Sequence, residues 1–274
     1  MVKAFLSKYP LATHELIHFP LMYPDTLKKY RIRNIPYASL DLLYTYGQAC
    51  GVSKGALRTT LSRMKKEESI IPVTTDGKPR YRVAPLQIEV MTNMQKKKKE
   101  KSGGFTVAIF SFEKSQERER SVTRSLLLYC GFVRFAQNAY INILGKDDQL
   151  RKSLNDAGVG DNVYLFNISE IENSDLKKLL SCWKIPERIE LLNTFKNDTE
   201  QLIENNSLTD ADLFFSIGIA WAAYIIHINS TEPPLPLNVL PKDYPYNKLY
   251  NYMVKKSIKY SKKMIQYWRS SNSI

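Results

Sequence analysis

The sequence predicts an α+β protein of several domains: a basic helix–turn–helix with a hairpin, then a small βαββαβ unit, then helices only. Three observations predict this. A turn marked by glycine and serine separates two amphipathic segments ahead of an Asp-Gly hairpin signal. Short β-rich runs alternate with helical ones between residues 105 and 172. From Ser174 onward only helical patterns remain.

Length and composition set the frame. A chain of 274 residues can hold two or three cores. Cys50, Cys130 and Cys182 have neither paired nor metal-type spacing, which points to a reducing compartment without disulfides or a zinc site. The opening "MVKAFLSKYPLATHELIHFPLM" lacks the pattern of a signal peptide, so a cytoplasmic location is expected. "LFFSIGIAWAAYIIHI" carries no Lys, Arg, Asp or Glu, but a spanning helix needs roughly 20 apolar residues. It contains His227 and follows Asp210 and Asp212, so a buried helix is expected and no membrane partner.

The net charge of +13 is unevenly spread. Residues 1–104 hold 19 Lys and Arg against 8 Asp and Glu, or +11; residues 105–274 hold 21 against 19, or +2. A local basic excess on a compact unit is the footprint of phosphate binding.

Within the basic part, "YASLDLLYTYGQAC" reads as a helix capped by Ser39, with Leu40, Leu43 and Tyr44 on its apolar side. Gly51 supplies the positive φ of a tight turn. Ser53 is the N-cap of a second helix, read on through "KGALRTTLSRMKKEESI" to Ile70, whose Leu57, Leu61 and Met64 share one face. Its other faces carry Lys54, Arg58, Thr59, Ser62, Arg63 and Lys66. "IIPVTTDGKPRYRV" then gives two strands around Asp76-Gly77, with Lys78, Arg80 and Arg82 at alternate positions and so on one side. A helix-turn-helix followed by a basic hairpin is a winged helix, whose second helix reads base edges while the wing meets phosphates or the minor groove. Residues 1–85 are therefore expected to be a DNA-binding domain. Its contact set is Ser53, the six helix residues named above, Lys78, Arg80 and Arg82.

Residues 86–104 read as a linker helix ending in Lys96–Lys99 and Gly103-Gly104. "FTVAIFSF", Phe105 to Phe112, is a buried strand. "SQERERSVTRSLLLYCGF" is a helix with Val122, Leu126 and Tyr129 in phase, closed by Gly131. "VRFAQ" and "AYINIL" are strands around Gln137-Asn138, "DDQLRKSLNDAG" is a helix and "NVYLFNI" a last strand. This βαββαβ order over residues 105–172 is ferredoxin-like. An all-helical domain is expected over residues 173–274, with helices at 174–184, 186–205, 209–229 and 246–269. Five prolines from Pro233 to Pro245 form a stiff strap before the last helix.

The string "GVSKGALRTTLSRMKKEE" resembles the recognition segment of the PaaX family of bacterial repressors, named for phenylacetic acid degradation. Gly51, Val52, Ser53, Leu57, Arg58, Thr59, Leu61, Ser62 and Arg63 match its motif. "GKPRYRV" is similar to that family's wing, "IFSFEKSQERERSVTRSLLLYCGFVRF" to its central segment, and "AWAAYII" with "PPLPLNVLPKDYP" to its C-terminal signature. The resemblance covers roughly residues 36–260 in the same order. The chain departs from the family at Pro20 and Pro24, which interrupt the N-terminal helix, and at Tyr244 and Glu232, where Trp and Asp are usual. Glu68-Ser69 replaces a glycine-tryptophan pair after the recognition helix. The resemblance implies a winged-helix repressor on double-stranded DNA, and a small-molecule effector of the acyl- or aryl-CoA type; a homodimer is expected because one recognition helix covers only a few base pairs.

No catalytic residues, metal site or resident cofactor are expected. His14, His18 and His227 pair with no recognisable nucleophile, and His227 on its apolar helix reads as a hydrogen-bonded core residue. A nuclease of the ferredoxin-like kind would need a carboxylate at the end of its first strand, where this chain has Ser111, with Glu113 displaced. A winged-helix plasmid replication initiator is a third reading of the same basic N-terminus.

Overall fold

The computed structural model describes residues 1–22, 37–75, 77–84, 105–142, 147–169, 171–204, 208–232, 235 and 240–272. The expected linker helix 86–104, Asp76, and Pro233, Pro234 and Pro236 of the strap lie outside the described residues. The elements run α1 (Val2–Lys8), α2 (Thr13–Met22), β1 (Ala38–Ser39), α3 (Leu40–Ala49), α4 (Lys54–Lys66), β2 (Ile70–Thr75) and β3 (Lys78–Val83). They continue with β4 (Phe105–Phe110), α5 (Glu117–Tyr129), β5 (Val133–Ala136), β6 (Ala139–Asn142), α6 (Asp147–Asp156) and β7 (Val163–Ile168). The chain ends in α7 (Asn173–Ser181), α8 (Ile185–Ile203), α9 (Asp210–Ala223) with a π-helical extension (Tyr224–Asn229), and α10 (Tyr246–Ser271). The fold is α+β with two antiparallel sheets, ordered β1-β3-β2 and β5-β6-β4-β7.

Four helices end alike, each with a left-handed residue after the C-cap and a reverse hydrogen bond to the last turn. After α3, Gly51 has φ +81° and Val52 N–H donates to Gly47. After α5 and α6 the left-handed residues are Gly131 and Gly158. After α4 the same place is held by Glu68 at φ +55°, with Ser69 N–H donating to the Met64 carbonyl at 2.9 Å.

The chain forms two compact units, and they are not the expected domains. One joins Met1–Gln95, Leu191–Thr231 and Pro245–Ile274; the other joins Lys96–Glu190 and Glu232–Tyr244. Residues 173–274 are thus not a domain of their own. The reason lies in α9, where ten of fourteen residues are buried. A helix apolar all round needs partners on every side, and α2 and α10 supply them in the first unit.

The core of that first unit is aromatic. Phe19 of α2, Tyr46 of α3, Phe214 and Phe215 of α9 and Tyr267 of α10 meet with ring centroids 5.3 to 6.5 Å apart. Gly218 permits this approach, since a Cβ there would lie 2.4 Å from the Phe19 ring. Asp210–Asn229 is long and apolar enough to cross a membrane, and 67% of that window is buried inside the protein. Pro20 sits inside α2 instead of interrupting it. His227 Nε2 lies 2.8 Å from the Pro10 carbonyl, the hydrogen bond expected of it, but the residue is half-buried and not in the core.

In the second unit, α5 and α6 cover one sheet face around Ala108, Phe110, Leu127, Phe132, Tyr140, Leu150 and Leu154. The buried residues of α5 are Thr123 and Leu127, with Cys130 at its C-cap, whereas Val122 and Leu126 of the expected face are half-buried. On the opposite sheet face Ile109 pairs with Tyr164 and Val107 with Phe166, and Ile109, Tyr164 and Phe166 are exposed. All three cysteines are free.

Candidate nucleic-acid interface

The candidate interface belongs to the first unit and is built by α3, α4 and the β2–β3 hairpin. The α3–α4 turn is fixed at both ends. Gly51 takes the left-handed conformation that a side chain resists, and Ser53 Oγ accepts from Ala56 N–H at 3.2 Å to start α4. Leu57, Thr60, Leu61 and Met64 then turn inward. Their burial forces Lys54, Arg58, Thr59, Ser62, Arg63 and Lys66 outward, and all six are exposed.

Tyr44 organises part of this face. The sequence places it among the apolar residues of α3, but the buried set there is Leu42, Leu43 and Tyr46. Tyr44 is half-exposed and its hydroxyl accepts from Arg58 Nε at 2.8 Å. That bond raises the Arg58 pKa further above its ordinary value, so the guanidinium is always charged. Lys54 Nζ lies 5.7 Å from the centre of the same ring. The tyrosine thus holds one cation by a hydrogen bond and both by its ring face. Beside it a cavity of about 220 Å³ is lined by Tyr44, Arg58, Ser62, Lys65 and Tyr81. Sequence reasoning missed Tyr44 and Lys65. The spacing of Lys65, seven residues after Arg58 and three after Ser62, carried the signal that it shares their side.

Several expected contact residues have local partners. The Ser53 hydroxyl oxygen caps α4. Thr59 Oγ1 donates to the Gly55 carbonyl at 3.1 Å. Arg63 stands 3.8 Å from Glu67, an exposed pair that leaves the guanidinium available.

The hairpin departs from expectation. β2 and β3 pair from Ile70–Val83 to Thr75–Lys78, which leaves a two-residue loop. Lys78 at the tip is exposed, but Arg80 is 1% exposed, with its guanidinium 4.6 Å from the centre of the Tyr37 ring. Arg80 is therefore a core residue and is removed from the contact set. The cause is β1, a two-residue strand the sequence did not reveal, which pairs Ser39 with Arg80 and makes β3 the central strand. Arg82, two residues further from the tip, is half-buried.

In the second unit, the strand end proposed for metal chemistry has Ser111 and Glu113 both outside the core, and Arg120 donates to the Phe112 and Glu113 carbonyls. Among the described residues no three His, Cys, Asp or Glu side chains come together as a metal site would need.

No protein-family model matches the sequence. No curated protein matches it either. Among solved structures, the chain is similar to the uncharacterized protein Rv0674 from Mycobacterium tuberculosis, with a TM-score of 0.62 and 14% identity over 93% of this chain and 98% of that one. At that identity the likeness shows a shared fold across nearly the whole of both chains.

Proposed function

We propose that this chain is a sequence-specific DNA-binding repressor of the PaaX type, reading duplex DNA with α4 of a winged helix. The observation that carries the reading is the exposed row Lys54, Arg58, Thr59, Ser62, Arg63 and Lys66 behind a capped turn, with Arg58 aimed by Tyr44. Bidentate guanidinium contacts to guanine specify sequence, whereas lysines on phosphates position the protein. The three-stranded sheet β1-β3-β2 beside α3 and α4 supports the winged-helix reading. The order β5-β6-β4-β7, with α5 and α6 on one face, supports a ferredoxin-like second unit. Glu68 supports the family resemblance, because it takes the left-handed conformation where that family has glycine.

The repressor acts as a homodimer on a palindromic site, since one recognition helix spans too few base pairs for genomic specificity. The exposed apolar face of Ile109, Tyr164 and Phe166 supports a dimer contact in the second unit. Release by an acyl- or aryl-CoA remains part of the proposal through the resemblance. Neither described cavity has the lining a thioester needs: one is the 220 Å³ space beside Arg58, and the other is bordered by Met1, Glu200, Gln201 and Glu204.

Titration of the protein on selected and scrambled duplexes tests the reading. With about six phosphate contacts, affinity should fall roughly a thousandfold between 50 and 200 mM salt. Arg58→Lys should lose about 1–3 kcal/mol of discrimination between the two duplexes. Binding that is insensitive to salt, or equal on every sequence, rejects it.

A further inference from the structure

α10 carries Lys248, Lys255, Lys256, Lys259, Lys262, Lys263 and Arg269 and no acidic residue in 26 positions. Its charges are sorted by face. Leu249, Met253, Ser257, Ser261, Met264, Ile265 and Trp268 are buried. At 100° per residue, Lys248, Lys255, Lys259, Lys262 and Arg269 fall within one arc of about 80° on the opposite side, and all five are exposed. Lys256 and Lys263 flank the row and pair with Glu204 and Asp210. The row spans 21 residues, about 32 Å at 1.5 Å per residue, close to one turn of duplex DNA.

A solvated helix face in this chain looks different. On α5 the arginines are interleaved with acids, and Arg120 and Arg124 both stand beside Glu117. On α8 Lys196 pairs with Glu200. In the row on α10, Lys255 and Lys259 stand four apart as like charges, an arrangement that destabilises an isolated helix. Among the described residues no ion pair involves Lys255, Lys262 or Arg269. Packing of the buried face holds α10 in place, and its C-terminal end is tied to the start of α3: Ser39 N–H donates to Asn272 Oδ1 at 2.6 Å, and Ser39 Oγ to the Ser271 carbonyl at 3.0 Å. The row is therefore fixed within the same compact unit as α4.

We infer that the lysine row of α10 is a second DNA-binding surface, one that grips the phosphate backbone without reading sequence. The inference rests on the proposed DNA-binding role of α4 and assigns the same ligand a second anchorage. Charge complementarity selects a polyanion, and the length of the row suits a duplex backbone.

The test uses the full chain carrying Lys255→Gln, Lys262→Gln and Arg269→Gln together, on a random-sequence duplex of about 30 base pairs, roughly three helical turns. The slope of log affinity against log salt should shrink by about 2.7, at about 0.9 per lost phosphate contact, equally on any sequence. A charge-conserving variant, Lys255→Arg, Lys262→Arg and Arg269→Lys, should keep the wild-type slope, and both should melt as wild type does. Wild-type binding weakened by Arg58→Ala but unchanged in slope by the triple Gln variant overturns the α10 surface and leaves the α4 reading standing. Failure of the wild type to bind any duplex overturns both. Loss in the Gln variant of binding to phosphatidylglycerol vesicles, with DNA binding intact, would assign the row to a membrane surface instead.

Discussion

Arg188 and Glu232 form a two-pronged ion pair inside the second unit: Nε and Nη2 both donate to Glu232 Oε2, at 3.1 and 2.9 Å, and the side chains are 8% and 5% exposed. Burial, then the adjacent Glu232, push the nearby Tyr244 phenol well above its usual pKa. The pair ties the start of α8 to the chain entering the proline-rich strap. Removing one partner leaves a buried charge without its counter-charge, so Arg188→Ala or Glu232→Ala should each destabilise by about 3–5 kcal/mol, and replacing both with apolar residues of similar size should restore much of the loss. Urea unfolding of the four proteins measures this; additive losses would rule out the coupling.

Glu68 should be improvable. An L-residue in the left-handed region is disfavoured by about 1–2 kcal/mol, and glycine is not. Glycine's extra freedom in the unfolded chain offsets part of the gain. Glu68→Gly is expected to stabilise by about 1 kcal/mol, seen as a higher urea midpoint with an unchanged slope. A fall in stability would mean that Glu68 makes a compensating contact.

Arg80 and Lys78 should separate cleanly. Arg80→Ala removes a buried cation stacked on Tyr37 and should destabilise by about 2 kcal/mol or more. Lys78→Ala should change stability by no more than about 0.5 kcal/mol and lower the salt slope for DNA by about one. Thermal melts and salt titrations of both variants give the comparison; an Arg80 variant of normal stability would return that residue to the interface.

His18 gives the fold a mild acid sensitivity. Burial lowers its pKa, the charge of His14 lowers it further, and Glu15 opposes both. Its folded pKa lies below the ordinary value of about 6.5, so between the two values the unfolded chain holds more protons. Stability is then flat above about pH 6.5, falls as pH drops through that value, and levels off below the folded pKa. His18→Gln should remove this step from a plot of unfolding free energy against pH, and a step that persists would place its origin elsewhere.

The patterns that could be read in the sequence were local ones. Leu57, Leu61 and Met64 repeat at helical spacing, and Ser53 and Gly51 mark the turn by their own backbone chemistry, so α4 and its exposed face were legible. Asp76-Gly77 announced a hairpin because loop length fixes the turn. The fate of Arg80 was not legible, since its burial depends on a two-residue strand forty positions earlier in the chain. The row on α10 was hidden by averaging: the acids of residues 105–274 cancel its charge in the sum and lie on other helices. The merging of N- and C-terminal segments into one unit was equally invisible, because periodicity shows that α9 must be buried and not against what.

That merging has a consequence for how the protein is made. When Phe19 and Tyr46 leave the ribosome, the rings they pack against, Phe214 and Phe215, have not yet been synthesised, nor has Tyr267, which packs on those two. At 5–20 residues per second the wait is on the order of ten seconds or longer. During it the nascent N-terminal segment exposes its aromatic side, while the central stretch from Lys96 to Glu190 is nearly contiguous and free to collapse first. Ser39 finds its partners in Ser271 and Asn272 only once α10 has been made. A transcript cut short before α10 would therefore yield not a smaller folded protein but an unfinished core, a substrate for chaperones and proteases.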